Sequence, residues 1–230
     1  MKKTITLIQK YALCLGVFYL ILYLPACAVK PASELDNPEY HHKAGMRHVE
    51  MRQYEEALTS FQRAVDLDKK FAPAYAGMGI THANLKNKKE AKKYAAKAEG
   101  LASKDADVLT LCARVWIDLR GQEKKWHKGA EKLLKKALKR KKNHEGATYY
   151  TGEVYLYQYK FSEAENQFRM VVEMKGNYSG RADKMWQTSQ KIVRAMPGTA
   201  MGKKVALHEQ ITRADLAALL GEELKISVLM

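Results

Sequence analysis

The chain has 230 residues, and its 40 lysines and arginines against 25 aspartates and glutamates give it a formal net charge of +15. A positive charge of this size attracts polyanions. We find no Ser/His/Asp or Cys/His set, no nucleotide-binding loop and no paired carboxylates in an evident cleft. We therefore expect neither an enzyme nor a bound cofactor.

Residues 1–26 have the pattern of an export signal. Lys2 and Lys3 precede an apolar run from Tyr11 to Leu24, which corresponds to a charged n-region followed by an h-region. The run is too short to favour a membrane-spanning helix. The alternative interpretation is an uncleaved anchor, or ordinary cleavage nearby.

The signal ends in Leu24-Pro25-Ala26-Cys27, which resembles the bacterial lipobox. The resemblance implies that Cys27 is thioether-linked to diacylglycerol and becomes the new N-terminus. Acyl chains on Cys27 would hold the protein on a membrane without a spanning helix. Because Ala28 and not aspartate follows the cysteine, the resemblance also implies the outer membrane, with the chain facing the periplasm.

Cysteine usage agrees with export of a lipoprotein. Cys14 would leave with the signal and Cys27 would be lipidated, so only Cys112 remains in the mature chain. An intramolecular disulfide is then excluded. Cys112 falls on an apolar helix face, which predicts a buried structural thiol.

Residues 27–37 are predicted to form a short tether, because Pro31, Ser33 and Asn37 act as breakers within it.

Small residues recur at a fixed spacing after the tether. Four alanines follow one another at intervals of 34, 39 and 34 residues, and a small residue precedes each of them by 12 or 17 positions. The alanines are Ala57, Ala91, Ala130 and Ala164, and the small residues are Gly45, Gly79, Ala113 and Gly152. Such pairs let two helices approach closely, and a period of 34 indicates a solenoid of helix–turn–helix units.

Apolar residues four and seven positions after each alanine give every second helix an apolar stripe. The stripe comprises Phe61, Ala95, Leu134 and Phe168, and then Ala64, Ala98, Ala137 and Val171. The segments 54–57, 61–68 and 161–164, together with Phe168, resemble the second helix of the tetratricopeptide repeat. The resemblance implies an all-α, right-handed solenoid of about four helix pairs, at residues 38–71, 72–105, 106–144 and 145–178. The third pair carries five extra residues in its internal turn, within 120–127.

The chain after the repeats is predicted to cap the solenoid. Apolar residues at helical spacing predict a capping helix over 179–196, which Pro197-Gly198 ends. In the C-terminal segment 197–230, residues 211–220 resemble part of the S-layer homology module. Thr212 and Asp215 are spaced to form a capping box, and the resemblance implies that Arg213 helps to bind wall polysaccharide. The alternatives are a capped amphipathic helix packed on the solenoid end, or a truncated reading frame.

The resemblance to the repeat family implies a concave groove, lined by the first helices, that binds a protein or peptide. One face of each first helix supplies the candidate contacts: His42, Met46, Ile80, Asn84, Arg114, Tyr149, Glu153 and Tyr157. The Lys and Asn pattern with which chaperone-binding members clamp a terminal carboxylate is absent. We therefore exclude that ligand.

Basic residues are concentrated in residues 86–97 and 124–142, on the second helices of neighbouring repeats. They predict one basic outer face that binds anionic lipid or wall polymer. The candidate residues are Lys89, Lys93, Lys132, Lys136, Lys139, Arg140 and, from the C-terminal segment, Arg213. The alternative is a solvated face that keeps the chain soluble. Nucleic acid is not expected because the signal exports the chain.

His41, His42 and His48 invite a metal interpretation, but their spacing does not suit a tetrahedral site, and we expect no metal. The sequence as a whole predicts a lipid-anchored scaffold of the cell envelope that binds a protein partner, in the manner of repeat lipoproteins that assist envelope, pilus or secretion assembly. The alternative is a tether that holds wall or surface polysaccharide through the C-terminal segment and the basic face. A third possibility is a truncated product with neither activity.

Overall fold

The computed structural model describes residues 31–34, 36–195, 197–208 and 212–222. The signal and Cys27 lie outside the described residues. Within the described ranges the regular elements are α-helices. In chain order they are α1 Pro38–Glu50, α2 Tyr54–Leu67, α3 Ala72–Asn84, α4 Lys88–Leu101, α5 Ala106–Asp118, α6 Trp126–Arg140, α7 Glu145–Tyr157, α8 Phe161–Met174, α9 Ser179–Ala195, α10 Ala200–Val205 and α11 Arg213–Glu222.

The helices pair in sequence. Helices α1 and α2, α3 and α4, α5 and α6, and α7 and α8 form four hairpins, and the first helices α1, α3, α5 and α7 pack side by side. The predicted all-α solenoid of four helix pairs is confirmed. The first helices thus form a row of four. Helix α9 packs along α8 and follows them as the fifth helix of this row. None of the described helices combines the length and the apolar character that crossing a bilayer requires.

Three of the four hairpins have the same three-residue turn. Its middle residue is Arg52, Lys86 or Tyr159, and each of these has a left-handed backbone, with φ of 59°, 65° and 62°. In the third hairpin, residues 119–125 link α5 to α6, which is where the sequence has its extra residues. The side chain of Glu123 in this link accepts hydrogen bonds from Lys88 and Lys92 on α4.

The small residues of the repeat pattern serve two kinds of contact. A Cβ atom added to Gly45 would lie 2.6 Å from the Phe61 ring, and one added to Gly152 would lie 2.8 Å from the Phe168 ring. Where the stripe has Ala95 in place of a ring, Gly79 faces the backbone of α4, and a Cβ atom added to Gly79 would lie 3.2 Å from Ala91 O. The glycines therefore make room for a ring in the outer repeats and for a neighbouring helix in the second.

The segment before α1 is fixed to the solenoid. Asp36 is buried, and its carboxylate accepts hydrogen bonds from the Arg63 guanidinium on α2 and from the backbone N–H of Ala32. The His41 Nε2 atom lies 2.7 Å from the same carboxylate. These contacts hold the pKa of Asp36 far below its usual range, chiefly because Arg63 bonds the charged form. The second half of the predicted tether is therefore part of the folded unit.

Helix α9 is the predicted capping helix, and it buries Ala182, Ser189 and Ile192. Beyond it, the main packing partner of α11 is α10. Thr212 Oγ1 accepts a hydrogen bond from Asp215 N at 3.1 Å, and Asp215 Oδ2 accepts one from Thr212 N at 3.0 Å. The structure thus contains the capping box that the spacing predicts.

Candidate functional site: the concave groove

The first helices place their N-terminal ends together, because each is followed by a second helix that returns the chain. Between these ends lies a cavity of about 840 Å³. Its apolar floor includes Met46, Phe71, Val108 and Leu111. A cavity of this size with an apolar floor and a polar rim is the usual form of a binding site.

The rim of this cavity is mainly acidic. Four carboxylates line it, from Glu39, Asp105, Asp107 and Glu145, together with the amines of Lys43 and Lys141. We call these four carboxylates the acidic mouth. They collect there because acidic residues are favourable at helix N-termini, and Asp105 caps α5 by accepting hydrogen bonds from Asp107 N at 2.8 Å and Val108 N at 3.2 Å.

Only part of the acidic mouth is occupied by contacts within the chain. Glu145 accepts a hydrogen bond from Tyr178 N at 2.7 Å. Asp107 lies 3.0 Å from His144 Nε2, yet its side chain remains 84% exposed. Glu39 is exposed on the first turn of α1. The acidic mouth can therefore meet a cationic group of a partner.

A second cavity, of about 410 Å³, lies at the other end of the first helices. The guanidinium groups of Arg52, Arg114 and Arg181 line it, together with Glu50 and Asp118. We call the three arginines the arginine mouth. On α1 the larger cavity reaches Met46 and the smaller one begins at Val49, about one helical turn further along the same helix.

The polar residues that line the smaller cavity from α3 and α5 are half-buried and contact one another. Arg114 Nε lies 3.8 Å from Asp118 Oδ2, and Asn84 Nδ2 donates a hydrogen bond to the same oxygen at 3.2 Å. Burial raises the pKa of Asp118 and also that of Glu153, which lies against Tyr149. These groups form a polar floor that is supported from within the chain.

The start of α9 closes one side of the groove. Arg181 Nη1 lies 3.8 Å from Glu50 Oε1 at the end of α1, so the capping helix meets the first helix of the row. The same guanidinium lies over the rings of Tyr149, at 5.2 Å, and Tyr178, at 5.9 Å. The two cavities therefore open on either side of a bridge formed by Arg181.

The structure separates the predicted groove residues into exposed and supporting groups. His42 and Met46 line the larger cavity, and Asn84 and Arg114 line the smaller one. Ile80 has no exposed surface and Tyr149 is only 3% exposed, so both support the groove from beneath. Tyr157 lines neither cavity. The Arg120 guanidinium lies over its ring, 4.1 Å from the centroid.

His42 forms part of the wall of the larger cavity. Its ring packs near the rings of Phe61 and Phe71, with centroids 5.9 and 6.0 Å away. Burial lowers its pKa to about 4, because the charged imidazolium would lose its hydration. The side chain is therefore neutral at neutral pH and acts as an aromatic wall residue.

Several groove residues were not predicted from the sequence. Arg181 was assigned only to the cap, although its side chain reaches the first helix. Arg52 lies on the rim of the smaller cavity and is not among the candidate contacts, whereas Asp107, on the rim of the larger cavity, lies on the groove face that spacing predicts for its helix. A first-turn acidic residue at Glu39, Asp107 and Glu145, in the first, third and fourth repeats, is the sequence signal for the acidic mouth.

The basic outer face lies on α4, α6 and the adjoining turns. Lys89, Lys132, Lys139 and Arg140 are exposed there. Lys93 is bonded to Glu90 at 2.8 Å, and Lys136 joins α6 to α4 through Glu99 at 2.6 Å. The two basic clusters are therefore joined across neighbouring repeats.

Two further predicted residues have different positions. Arg213 is exposed at the start of α11. Cys112 has no exposed surface, and its thiol donates to Ala95 O at 3.4 Å. Burial raises the pKa of Cys112 to about 12, which agrees with the predicted structural thiol.

Comparison with known proteins identifies the type of repeat. Residues 48–115, from the end of α1 into α5, match the family model of the tetratricopeptide repeat. A comparison with curated proteins gives no match.

Solved structures agree on the fold. A thermophilic tetratricopeptide-repeat protein of Thermus thermophilus superposes with a TM-score of 0.57 at 15% identity, over 83% of this chain and 95% of that chain. MamA of MSR-1 gives 0.44 at 15% identity, over 74% and 94%. PilF of Pseudomonas aeruginosa gives 0.32 at 14% identity, over 73% and 95%. The last two scores are too low to carry an argument, and the first shows the fold alone: an all-α tetratricopeptide-repeat solenoid.

Proposed function

We propose that this chain is a lipid-anchored adaptor of the cell envelope, which holds a segment of a partner protein in its concave groove beside a membrane. The tetratricopeptide fold is generally a non-catalytic scaffold for protein interactions. The observation that carries the proposal is the cavity of about 840 Å³ between the first helices, with apolar side chains on its floor and charged groups on its rim. This is the composition of a recognition surface.

The anchor is proposed from the sequence. Acyl chains on Cys27 would leave residues 28–31 as a short connection, since the chain is fixed to the solenoid from Ala32 onward. The protein would then sit close to the bilayer, most simply at the periplasmic side of the outer membrane. Replacing Cys27 with serine is expected to abolish the labelling of the protein by a radioactive fatty acid.

The groove is tested by crosslinking in cells. A photoreactive residue placed at Leu111, on the cavity floor, is expected to capture one defined protein, which mass spectrometry would identify. The same residue placed at Met170, which is 41% exposed on α8, is the matched control and should capture far less. Capture of wall polymer or lipid alone at both positions would contradict the adaptor.

Variants test the same site without a crosslinker. Met46→Glu places a charge on the apolar floor and should abolish capture, whereas Met170→Glu should leave it unchanged. Because Met46 also packs against the core, Glu39→Lys on the exposed rim is the second variant, and it should weaken capture while the melting temperature stays nearly the same. Unchanged capture in both groove variants would contradict binding at the groove.

The alternative function is a tether to wall or surface polysaccharide. The observation that favours it is α11, whose capped start presents an exposed Arg213 and whose residues are not buried against the solenoid. Binding driven by Arg213 and the basic face would weaken steeply as salt rises. Sedimentation with purified wall material at low and high salt, comparing the natural chain with Arg213→Gln, separates this function from groove binding.

A further inference from the structure

The two cavities of the groove carry opposite charge, although the chain as a whole is strongly basic. The rim of the larger cavity carries four carboxylates and only two amines, those of Lys43 and Lys141, around an apolar floor. The smaller cavity has three guanidinium groups against Glu50 and Asp118. The charge of the groove therefore changes sign along the direction of α1.

This order of charge follows from the architecture and not from one local cluster. The acidic mouth uses the first turns and cap of α1, α5 and α7, where carboxylates complement the helix dipole. The arginine mouth draws on the turn after α1, on α5 and on the start of α9. Because charged side chains from α1, α5, α7 and α9 and from the turn after α1 face the two cavities, the charge separation is a property of the assembled groove.

The separation sets the chemistry of an occupant. A segment that crosses from one cavity to the other gains from a cation beside Asp107 and Glu39, and from an anion beside the exposed Arg52, whereas Arg114 is already paired with Asp118. Its middle part meets apolar side chains such as Leu111. A segment of reversed charge order would set like charges against each other at both ends, which is costly and excludes wrong partners.

We propose that the groove selects a protein segment with basic residues at one end, apolar residues in the middle and acidic residues at the other end, and that it binds this segment in a single direction. The inference rests on the proposed groove function and specifies its partner class. The neutral His42 ring adds an aromatic wall beside the apolar part.

The first experiment selects binders from a displayed library of random peptides of about 12 residues, with the full-length protein held in nanodiscs of neutral lipid. Peptides are retained only if Met46→Glu abolishes their binding and Lys132→Gln on the outer face does not. We expect the retained peptides to have basic and acidic residues segregated at opposite ends of an apolar core. Retained peptides without this segregation would overturn the inference and leave the adaptor intact. If the library yields no peptide whose binding is abolished by Met46→Glu, both the charge-order inference and the adaptor function are overturned.

The second experiment tests direction by double-mutant cycles. One selected peptide is measured with Asp107→Asn, with Arg52→Gln and with Lys139→Gln as the outer-face control. Asp107→Asn should weaken binding about two- to fivefold, the range of an exposed ion pair, and should have no further effect once the basic residue of the peptide is replaced by glutamine. Arg52→Gln should behave in the same way with the acidic residue of the peptide. Coupling of both groove variants to the same end of the peptide, or no coupling, would contradict a single direction.

Discussion

At the scale of single residues, two glycines in helices have opposite surroundings. A Cβ atom on Gly45 in α1 would lie 2.6 Å from the fully buried Phe61 ring, whereas one on Gly100 in α4 would meet no atom within 4 Å. The repeat pattern alone marks Gly45 as a contact residue and gives no role to Gly100.

We expect Gly45→Ala to lower the free energy of unfolding by about 1 kcal/mol. Overpacking costs roughly 1–3 kcal/mol, and the better helix propensity of alanine returns about 1 kcal/mol. The matched change Gly100→Ala should raise stability by about 0.5–1 kcal/mol. Urea unfolding of both variants measures the difference. Equal effects of the two substitutions would show that Phe61 can move aside freely.

His42 predicts how stability depends on pH. Its folded pKa of about 4 is below the unfolded value of about 6.5, so the unfolded chain binds more protons at mildly acid pH. Stability is therefore lost as pH falls from about 6.5 toward 4. Between pH 7 and pH 5, protonation of this single group in the unfolded chain should lower the free energy of unfolding by about 2 kcal/mol.

The pH effect is measured by urea unfolding at both pH values. His42→Phe should remove about that much of the pH dependence, because phenylalanine cannot take up the proton. His127→Phe, at the start of α6, is the control and should retain the dependence of the natural chain. If the slope is the same in the natural chain and in His42→Phe, the buried ring is not its source.

The candidate contacts were only partly accessible to sequence analysis. His42 and Met46 are one helical turn apart, so their common face could be predicted from spacing alone. Ile80 was placed on the same face of its own helix, but neighbouring helices leave it no exposed surface. Arg181 was missed because its contact with Glu50 joins the two ends of the row, and no local pattern indicates that approach.

At the scale of helices, the repeats were predictable because their contacts are local. Each hairpin joins two helices through a short turn, and the small residues at Gly45 and Gly152 mark where the rings of Phe61 and Phe168 pack. Contacts that cross between units have no comparable signal. The pairing of Asp36 with Arg63, and of Asn84 with Asp118, joins residues 27 and 34 positions apart.

The fixed segment before α1 gives a prediction at the scale of helices. Asp36→Ala removes the acceptor of the Ala32 N–H and the partner of Arg63, so the backbone amides of residues 32 and 36 should lose protection from hydrogen exchange while α3 to α8 keep theirs. Glu34→Ala is the neighbouring control and should leave the protection in place. Because the pKa of Asp36 is lowered in the fold, the natural contact should also weaken as pH falls below about 4, the ordinary aspartate value. Protection that survives in Asp36→Ala would mean that other contacts fix the segment.

At the scale of the whole molecule, the segment before α1 and the basic face lie on the same side of the solenoid. Asp36 is fixed to α2, and the lysines lie on α4 and α6, which are the second helices of adjoining repeats. A chain held by its N-terminus could then lay this outer side on an anionic bilayer and leave the groove accessible. Lysines near an anionic surface are attracted to it and would orient a chain that acyl groups hold on the membrane.

We expect the Cys27→Ser chain to bind vesicles that contain anionic lipid, and to bind neutral vesicles poorly. Replacing Lys132, Lys135 and Lys139 with glutamine should weaken binding on the order of 100-fold at low salt, from about 1 kcal/mol for each lysine near the surface. The control replaces three exposed groove residues, Glu39, Lys43 and Asp107, by glutamine, glutamine and asparagine. Vesicle sedimentation at low and high salt is the measurement. Equal binding by both triple variants would show that the basic face is solvated and has no membrane role.

The burial of Cys112 makes its thiol a probe of local opening in the solenoid. In a lipoprotein with Cys14 removed and Cys27 acylated it would be the remaining thiol, and it lies between α4 and α5 at the centre of the row. A thiol-reactive dye could label it only when these helices separate, so the labelling rate would report how often the middle of the solenoid opens. Slower labelling on addition of a peptide would then reveal binding in the groove of an otherwise unmodified chain.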